Sequence, residues 1–334
     1  MTAEKKITQD MFQAAELDQT KNEEISGKVV SVWRDAFRRF MQNKGAVLST
    51  IILFLLIFLA IFGPYFNHYG PINQNLNHAN LPPRISVLSW IPFFSGHEDG
   101  VDVYKQQSVK QNYWFGTDQL GRDLWSRTWD GTRISLIIAL VATLVDVFIG
   151  VTYGGISGYF GGKIDNLMQR ILEIISGIPQ LIWIILLILI LKPGLTAIII
   201  AITIGNWVQM ARIVRGEMMK FKSQEFVLAS TTLGASHKRI IMKHLLPNSF
   251  GMIIVNTMFS IPSAIFFEAF LSFIGLGLVD PATSLGILIN SGFDVLQLHP
   301  FETVFPGLVI CLLLIAFNLV GNGLRDSFDP KLRH

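Results

Sequence analysis

A few side chains that carry polar atoms interrupt long apolar stretches of this sequence, namely Asp146, Asn206, Trp207, Gln209 and Glu268. A carboxylate surrounded by lipid costs at least about 2.5 kcal/mol on insertion scales, so it must face a cavity or a polar partner. Asp146 could therefore line a solute path, carry a proton or pair with another polar group. Asn206, Trp207 and Gln209 suit either a pore lining or contacts between helices. We predict that these side chains line a solute path.

The sequence contains no catalytic or nucleotide-binding motif. Neither GGKID, at 161–165, nor GASHKRI, at 234–240, fits the GxxxxGK[ST] phosphate cradle, and no HExxH or GxSxG occurs. The seven histidines lack metal-ligand spacing, and the single cysteine, Cys311, cannot form an intramolecular disulfide. We therefore expect a chain that is not an enzyme, holds no metal or cofactor, and buries Cys311 in its core.

The composition indicates a bilayer as the solvent. Hydrophobic residues make up 51% of the 334 residues and charged residues only 15%, against roughly 25% charged residues in soluble domains. A helix needs about 20 apolar residues to cross the hydrocarbon core. Runs that meet this requirement occur at 46–66, 134–156, 171–191, 195–211, 250–278 and 304–320. The sequence therefore predicts an all-α membrane protein with six transmembrane helices.

The same runs divide the chain into segments. A tail at 1–45, with an interfacial helix around WRDAFRRF, precedes a first span at 46–66, an extracellular loop at 67–130, the main membrane domain at 131–323 and a tail at 324–334. Lys and Arg concentrate in the tails and in the loops after the second and fourth spans, which favours the cytoplasm for these regions. Both termini are predicted to be cytoplasmic.

The outer loop ends in a patterned segment, FGTDQLGRDLWSRTWDGTRISL, at 115–136. Asp118 with Arg122, and Asp123 with Arg127, have the i,i+4 spacing of helical ion pairs. The spacing predicts a short helix lying flat at the outer interface. In the span that follows, Gly150, which begins a stripe of glycines at every fourth residue, predicts close helix packing.

A polar stretch, EFVLASTTLGASHKRIIMKHLLPN at 225–248, separates two of the apolar runs. We expect a helix capped by Ser223, with Glu225 in its first turn. Helical spacing gives this helix one face of apolar and small residues, formed by Phe226, Ala229, Ser230 and Leu233.

The second half of the stretch predicts a turn and another helix. Gly234 permits a sharp turn, followed directly by Ala235, Ser236 can start a second helix, and Pro247 is expected to end it. Lys238, Arg239 and Lys243 lie near its exposed surface. Two interpretations stay open from these residues alone, a helix pair on anionic lipid or a knob that docks into a partner protein.

The stretch resembles the EAA loop of permease subunits in ATP-binding-cassette importers, whose motif reads E-A-A, three residues, G, nine residues, I, one residue and L-P. The corresponding residues here are Leu228, Ala229, Ser230, Gly234, His244, Leu246 and Pro247, of which Leu228, Ser230 and His244 depart from the motif. FGTDQLGRDLWSR, EAFLSFIGLGL at 268–278 and FNLVGNGLRDSFDPKLR at 317–333 resemble the subfamily that imports peptides and, in some members, nickel. The tail and first span resemble its C-type subunit.

The resemblance implies a type I importer domain in a bacterial plasma membrane. Residues 225–247 would couple to two cytoplasmic ATPase subunits, which bind ATP and Mg²⁺. A second, homologous permease would complete the pore, and an extracytoplasmic binding protein would deliver the cargo. Membrane lipid is an expected partner and nucleic acid is not.

Oligopeptide import is the favoured function, with dipeptide or nickel import as the alternative within the family. From other classes, an ion-coupled secondary transporter that uses Asp146 as its proton carrier and a non-transporting membrane scaffold remain open.

Overall fold

The computed structural model describes residues 32–67, 69–98, 100–279 and 281–329, and most of these residues are helical. The predicted tail at 1–31 and the last residues at 330–334 lie outside this range. The helices are α1 Val32–Gln42, α2 Lys44–Phe62, α3 Val103–Gln106, α4 Leu124–Phe160, α5 Gly162–Gly177, α6 Gln180–Leu191, α7 Leu195–Lys222, α8 Glu225–Thr232, α9 His237–Ile240, α10 Leu246–Phe273, α11 Leu285–Asp294 and α12 Phe301–Phe328.

Long apolar helices dominate, as the sequence predicts. Five helical segments in the described part of the chain are long and apolar enough to cross a membrane, and the bent pair of α5 and α6 can supply a sixth crossing. The π-helical turn Ile241–Leu245 joins α9 to α10. The architecture is thus that of an all-α membrane protein.

The third span differs most from its prediction. The run at 171–191 is not one helix, because α5 ends at Gly177 and α6 begins at Gln180 with a bend of 79° between them. Ile178 adopts an extended conformation (φ −98°, ψ 126°), the backbone region that a following proline imposes. Pro179 therefore breaks the span instead of merely bending it.

Helix α4 packs side by side with α7 through its glycine stripe. A Cβ atom at Gly154 would lie 2.3 Å from the carbonyl oxygen of Ala211, and one at Gly158 would lie 2.6 Å from that of Arg215. The two backbones therefore touch with no room for a side chain, and the predicted close packing is confirmed. The contacts advance in the same direction along both helices, so the pair is parallel.

A small module, which we call the outer module, lies between α2 and α4 at the position of the predicted extracellular loop. It contains a hairpin of β1 His97–Glu98 and β2 Val101–Asp102, the helix α3 and several 3₁₀ turns. Its core is formed by the buried side chains Leu81, Tyr104, Val109 and Tyr113.

The sequence predicts a short helix lying flat at the C-terminal end of this module, and that prediction is wrong. Residues 115–123 form turns, because the Asp118 carboxylate accepts hydrogen bonds from the backbone N–H groups of Leu120 and Arg122. The predicted ion pair between Asp118 and Arg122 is present at 2.7 Å, and Arg127 also approaches Asp118. Asp123 caps α4, which starts at Leu124 and continues without interruption into the membrane.

Cys311 is exposed, so its predicted burial is wrong. It lies on the outward face of α12 beside the exposed side chains of Leu308 and Leu312. The outward face of a membrane helix can contact lipid, which is itself apolar. A small apolar residue such as Cys311 is therefore stable there without being buried in the core.

Candidate functional site

The stretch at 225–247 forms the predicted helix, glycine turn and helix. Gly234, between α8 and α9, has φ of +77°, which glycine adopts without strain. The Ser236 side chain accepts a hydrogen bond from the N–H of Arg239 and caps α9. Two details of the prediction are wrong. Ser223 follows the end of α7, so α8 begins after Gln224 without a side-chain cap, and Pro247 lies in the first turn of α10 instead of ending a helix.

Val227 is the only buried side chain of α8, and the Phe226 ring approaches that of His244, with their centroids 6.5 Å apart. Phe226 is 42% exposed and Leu233 is 87% exposed, and Ala229 is exposed between them. Large apolar side chains that point away from the protein core at a polar loop are typical of a surface that meets a partner. We call this uncovered face the loop face and define it by Phe226, Ala229, Ser230 and Leu233.

The rest of the loop is firmly attached to the membrane helices. Ile240 and Leu245 are buried in a cluster that includes Val214 and Met218 of α7. At the end of α4, the Tyr159 hydroxyl and His237 Nδ1 share a hydrogen bond of 2.6 Å. A displacement of the loop therefore moves the ends of α4 and α7 that contact it.

A partly buried ion pair links three helices close to this attachment. The Arg215 guanidinium donates two hydrogen bonds to the Asp165 carboxylate, each of 2.6 Å, and the Ser157 hydroxyl donates a third of 2.5 Å. Bidentate geometry makes such a pair directional as well as strong. It holds α5 against the parallel pair formed by α4 and α7.

A cavity of about 260 Å³ lies between α7 and α10. Amide and hydroxyl side chains line much of it, including Asn206, Gln209, Asn256, Ser260 and Ser263. These groups donate and accept hydrogen bonds without carrying charge. The cavity can therefore contact an uncharged polar solute along its length.

The predicted path residues do not all meet in this cavity. Asn206 and Gln209 line it, whereas Trp207 packs its ring against Tyr153. Asp146 is buried beside Asn206, and neither of its carboxylate oxygens has a hydrogen-bond partner among the described residues. The side chain of Gln180, at the start of α6, donates a 2.7 Å hydrogen bond to Asn206.

Glu268 belongs to a different cluster. Its buried carboxylate accepts hydrogen bonds from the hydroxyls of Ser135, at 2.6 Å, and Ser272, at 2.8 Å. These contacts join α4 to α10, and Glu268 does not line the cavity described above. Its geometry is that of a helix-to-helix contact.

Sequence reasoning missed several of these residues. GGKID was compared only with a phosphate cradle, although its Asp165 forms the pair with Arg215. Tyr159, His237 and Gln180 carry no local pattern, because their partners lie on other helices. The one available signal was the pair of glycines before Lys163, which marks a tight turn and so brings Asp165 back beside the end of α4.

Comparison with known proteins gives consistent matches. Residues 150–334 match the model of the binding-protein-dependent transport system inner membrane component, and residues 31–83 match that of the N-terminal TM domain of oligopeptide transport permease C. The chain is 43% identical over 327 residues to the oligopeptide transport system permease protein OppC of Bacillus subtilis, covering 98% of this chain and 99% of that protein. It is also 43% identical over 321 residues to the dipeptide transport system permease protein DppC of the same organism, covering 95% and 92%.

A solved structure shares the fold. The MetNI methionine ABC transporter, in an inward-facing conformation, aligns with a TM-score of 0.50 at 18% identity, over 60% of this chain and 94% of that one.

Proposed function

The chain belongs to the family of binding-protein-dependent transport system inner membrane components, and on this premise we propose that it forms half of the pore of an ATP-driven importer for oligopeptides. Relatives named for oligopeptide and for dipeptide transport match it over nearly their whole length at equal identity. Dipeptide import is accordingly the second candidate. The uncharged amides and hydroxyls of the cavity support either cargo, since a peptide backbone presents the same neutral donors and acceptors.

The loop face is the docking surface for a cytoplasmic ATPase in this proposal. The single observation that carries it is an exposed apolar face on a loop whose other side is buried against α7. The residues assigned to coupling are Glu225, Phe226, Ala229, Ser230, Leu233, Gly234, Ala235, Leu246 and Pro247. ATP and Mg²⁺ bind to the ATPase subunits, and this chain supplies only the mechanical connection.

The complete importer contains a second permease, two ATPase subunits and an extracytoplasmic binding protein. With α5 and α6 counted as one crossing, the chain would cross the plasma membrane six times and have both termini on one side, and the basic residues favour the cytoplasmic side. Asn206 and Gln209 contact the cargo through the cavity. Asp146 lies beside Asn206 without lining the cavity, and Glu268 holds α4 against α10.

Reconstitution of the full complex in vesicles tests the proposal. We expect ATP-dependent uptake of labelled tripeptides and pentapeptides, and Asp146→Asn should retain it. Uptake driven by a pH gradient without ATP, and abolished in Asp146→Asn, would instead identify a secondary transporter. Purification of the tagged chain without any ATPase would identify a scaffold.

A further inference from the structure

The outer module carries a short loop whose apolar side chains point away from the module's own core. The sequence ISVLSWIPFF, at 85–94, contains no charged residue. Val87 is 83% exposed, Trp90 is 78% exposed and Phe93 is 44% exposed. Large apolar side chains left uncovered within one short loop mark a surface that meets a partner or a membrane. We call residues 85–94 the apolar loop.

The backbone of the apolar loop is largely satisfied by the loop itself. The N–H group of Ile85 donates to the carbonyl of Phe94 at 3.1 Å and closes the loop at its base. The N–H groups of Leu88, Ile91 and Phe94 each donate to the carbonyl three residues earlier. A segment that approaches lipid must pair its backbone polar groups internally, because hydrocarbon offers no partners. The loop has the internal hydrogen bonds that this position requires.

Aromatic contacts hold the apolar loop beside the start of α12. The rings of Phe93 and Phe94 approach that of Phe305, with centroids 5.6 and 6.2 Å away. Helix α12 begins at Phe301, so Phe305 lies about 6 Å along its axis. The apolar run of this span starts at residue 304. The loop therefore lies at the level where α12 enters the hydrocarbon core.

The outward face of α12 begins at the same level. Its exposed apolar side chains recur at helical spacing, namely Val304, Leu308, Leu312, Ile315 and Leu319. Cys311 lies on this face, which can contact lipid. The apolar loop extends the uncovered apolar surface beyond the end of the helix, so one continuous apolar surface includes both.

The hairpin of the outer module and the helix α3 have the opposite character. They carry Glu98, Asp102 and Lys105, and the Lys105 side chain is 82% exposed beside Asp102. Arg84, at the base of the apolar loop, places its guanidinium 4.8 Å from the centroid of the buried Tyr104 ring. The charges are thus kept off the apolar loop. Separation of charged and aromatic surfaces within one module is typical of a membrane–water boundary, where Trp is enriched.

We propose that the apolar loop inserts into the interfacial layer of the bilayer, in the leaflet at which α12 begins, with Val87 and Trp90 in contact with lipid. Trp90 is the main anchor, because an indole ring combines a large apolar surface with an N–H group that can bond at headgroup depth. The insertion fixes the outer module against the membrane while its hairpin stays in water. This inference requires neither a cargo nor an ATPase, so it is independent of the proposed transport function.

Site-directed spin labelling of the full chain in lipid nanodiscs tests the insertion. Cys311 is the only cysteine in the sequence, so Cys311→Ser provides a background in which Val87→Cys is the sole labelling site. The nitroxide's collisions are measured with oxygen, which concentrates in lipid, and with a nickel chelate, which stays in water. Val101→Cys is the matched control, because it labels an exposed valine of the hairpin in the same module. We expect a severalfold higher oxygen-to-nickel collision ratio at position 87 than at position 101.

The same two labels distinguish lipid from a protein partner. Equal collision ratios at positions 87 and 101 would place the apolar loop in water and overturn the proposal. Low collision with both reagents at position 87 would show that a protein surface covers the loop, and this too would overturn it. Repeating the measurement after addition of the extracytoplasmic binding protein should leave the ratio at position 87 unchanged. Loss of both collisions only after that addition would identify a protein docking surface instead of a lipid contact.

Trp90→Asp tests the anchor itself. Trp90 is largely exposed, so the substitution removes little packing from the module. An ionised carboxylate is costly in hydrocarbon, so the loop should move into water and nickel collision of a label at position 87 should rise severalfold. Val101→Asp, with the same label, should leave that collision unchanged. Unchanged nickel collision in Trp90→Asp would exclude Trp90 as an anchor and the proposed insertion with it.

Discussion

The α4–α7 helix pair and the loop face both depend on glycine, for opposite physical reasons. At Gly154 the backbone of α7 fills the place of a side chain, whereas around Gly234 no atom lies within 4 Å of an added Cβ. The first position needs glycine for space and the second for its positive φ. The pair is therefore rigid because it is closely packed, while the loop is shaped by its backbone and leaves its apolar side chains uncovered. The closely packed helix pair is suited to transmit a movement as a rigid body. The uncovered loop face is suited to contact the partner that causes the movement.

The largest expected effect comes from filling the contact within the helix pair. Gly154→Ala places a methyl group 2.3 Å from the carbonyl oxygen of Ala211, so α4 and α7 must separate. Overpacking of this kind costs about 1–3 kcal/mol. We expect a Tm several degrees lower and a reduced yield of monodisperse protein in detergent. Gly155→Ala is the control, because no atom lies within 4 Å of the added methyl group; equal Tm values for the two variants would show that the pair is not closely packed.

The second effect concerns the loop face and spares the fold. Gly234→Val forces a β-branched residue into a left-handed conformation that costs roughly 1–2 kcal/mol, so α8 and α9 lose their relative orientation. We expect normal membrane insertion and a smaller fall in Tm than in Gly154→Ala, but at least a tenfold loss of cargo-stimulated ATP hydrolysis in the full complex. Gly216→Val adds the same side chain at an equally open position inside α7, and it should hydrolyse ATP normally. Undiminished stimulation in Gly234→Val would remove the loop from the coupling path.

The hydrogen bond between Tyr159 and His237 joins the two regions, and its removal should have an intermediate effect. Tyr159→Phe deletes one hydrogen bond, worth about 0.5–1.5 kcal/mol, so stimulated hydrolysis should fall severalfold while Tm changes little. Tyr153→Phe removes a comparable hydroxyl, which donates to the carbonyl of Met168 away from the loop. A similar loss of stimulation in both variants would mean that the effect is general to α4 and not specific to the joint.

The sequence predicted these two regions unequally. Hydropathy located the apolar runs, and the glycines at every fourth residue from Gly150 predicted the packing of α4. Both signals lie within a single helix. The break of the third span into α5 and α6 was not predicted: a proline within an apolar run indicates a kink, but the size of the bend at Pro179 depends on neighbouring helices. The contacts of Asp165, Gln180 and Tyr159 join residues on separate helices, and no local pattern encodes such partners.

The smallest expected effect separates the loop face from the basic surface beside it. Lys238, Arg239 and Lys243 are exposed and lie outside the loop face, so docking through apolar contacts should tolerate their replacement by Gln. We expect less than a twofold change in stimulated hydrolysis at physiological salt, because exposed charges are screened within about 8 Å. Replacement of Leu233 by Gln removes one uncovered apolar side chain without changing charge, and it should reduce stimulation far more. A larger loss of stimulated hydrolysis in the triple variant than in Leu233→Gln would mean that electrostatic attraction to the partner or to lipid holds the loop. The apolar loop face would then not be the docking surface.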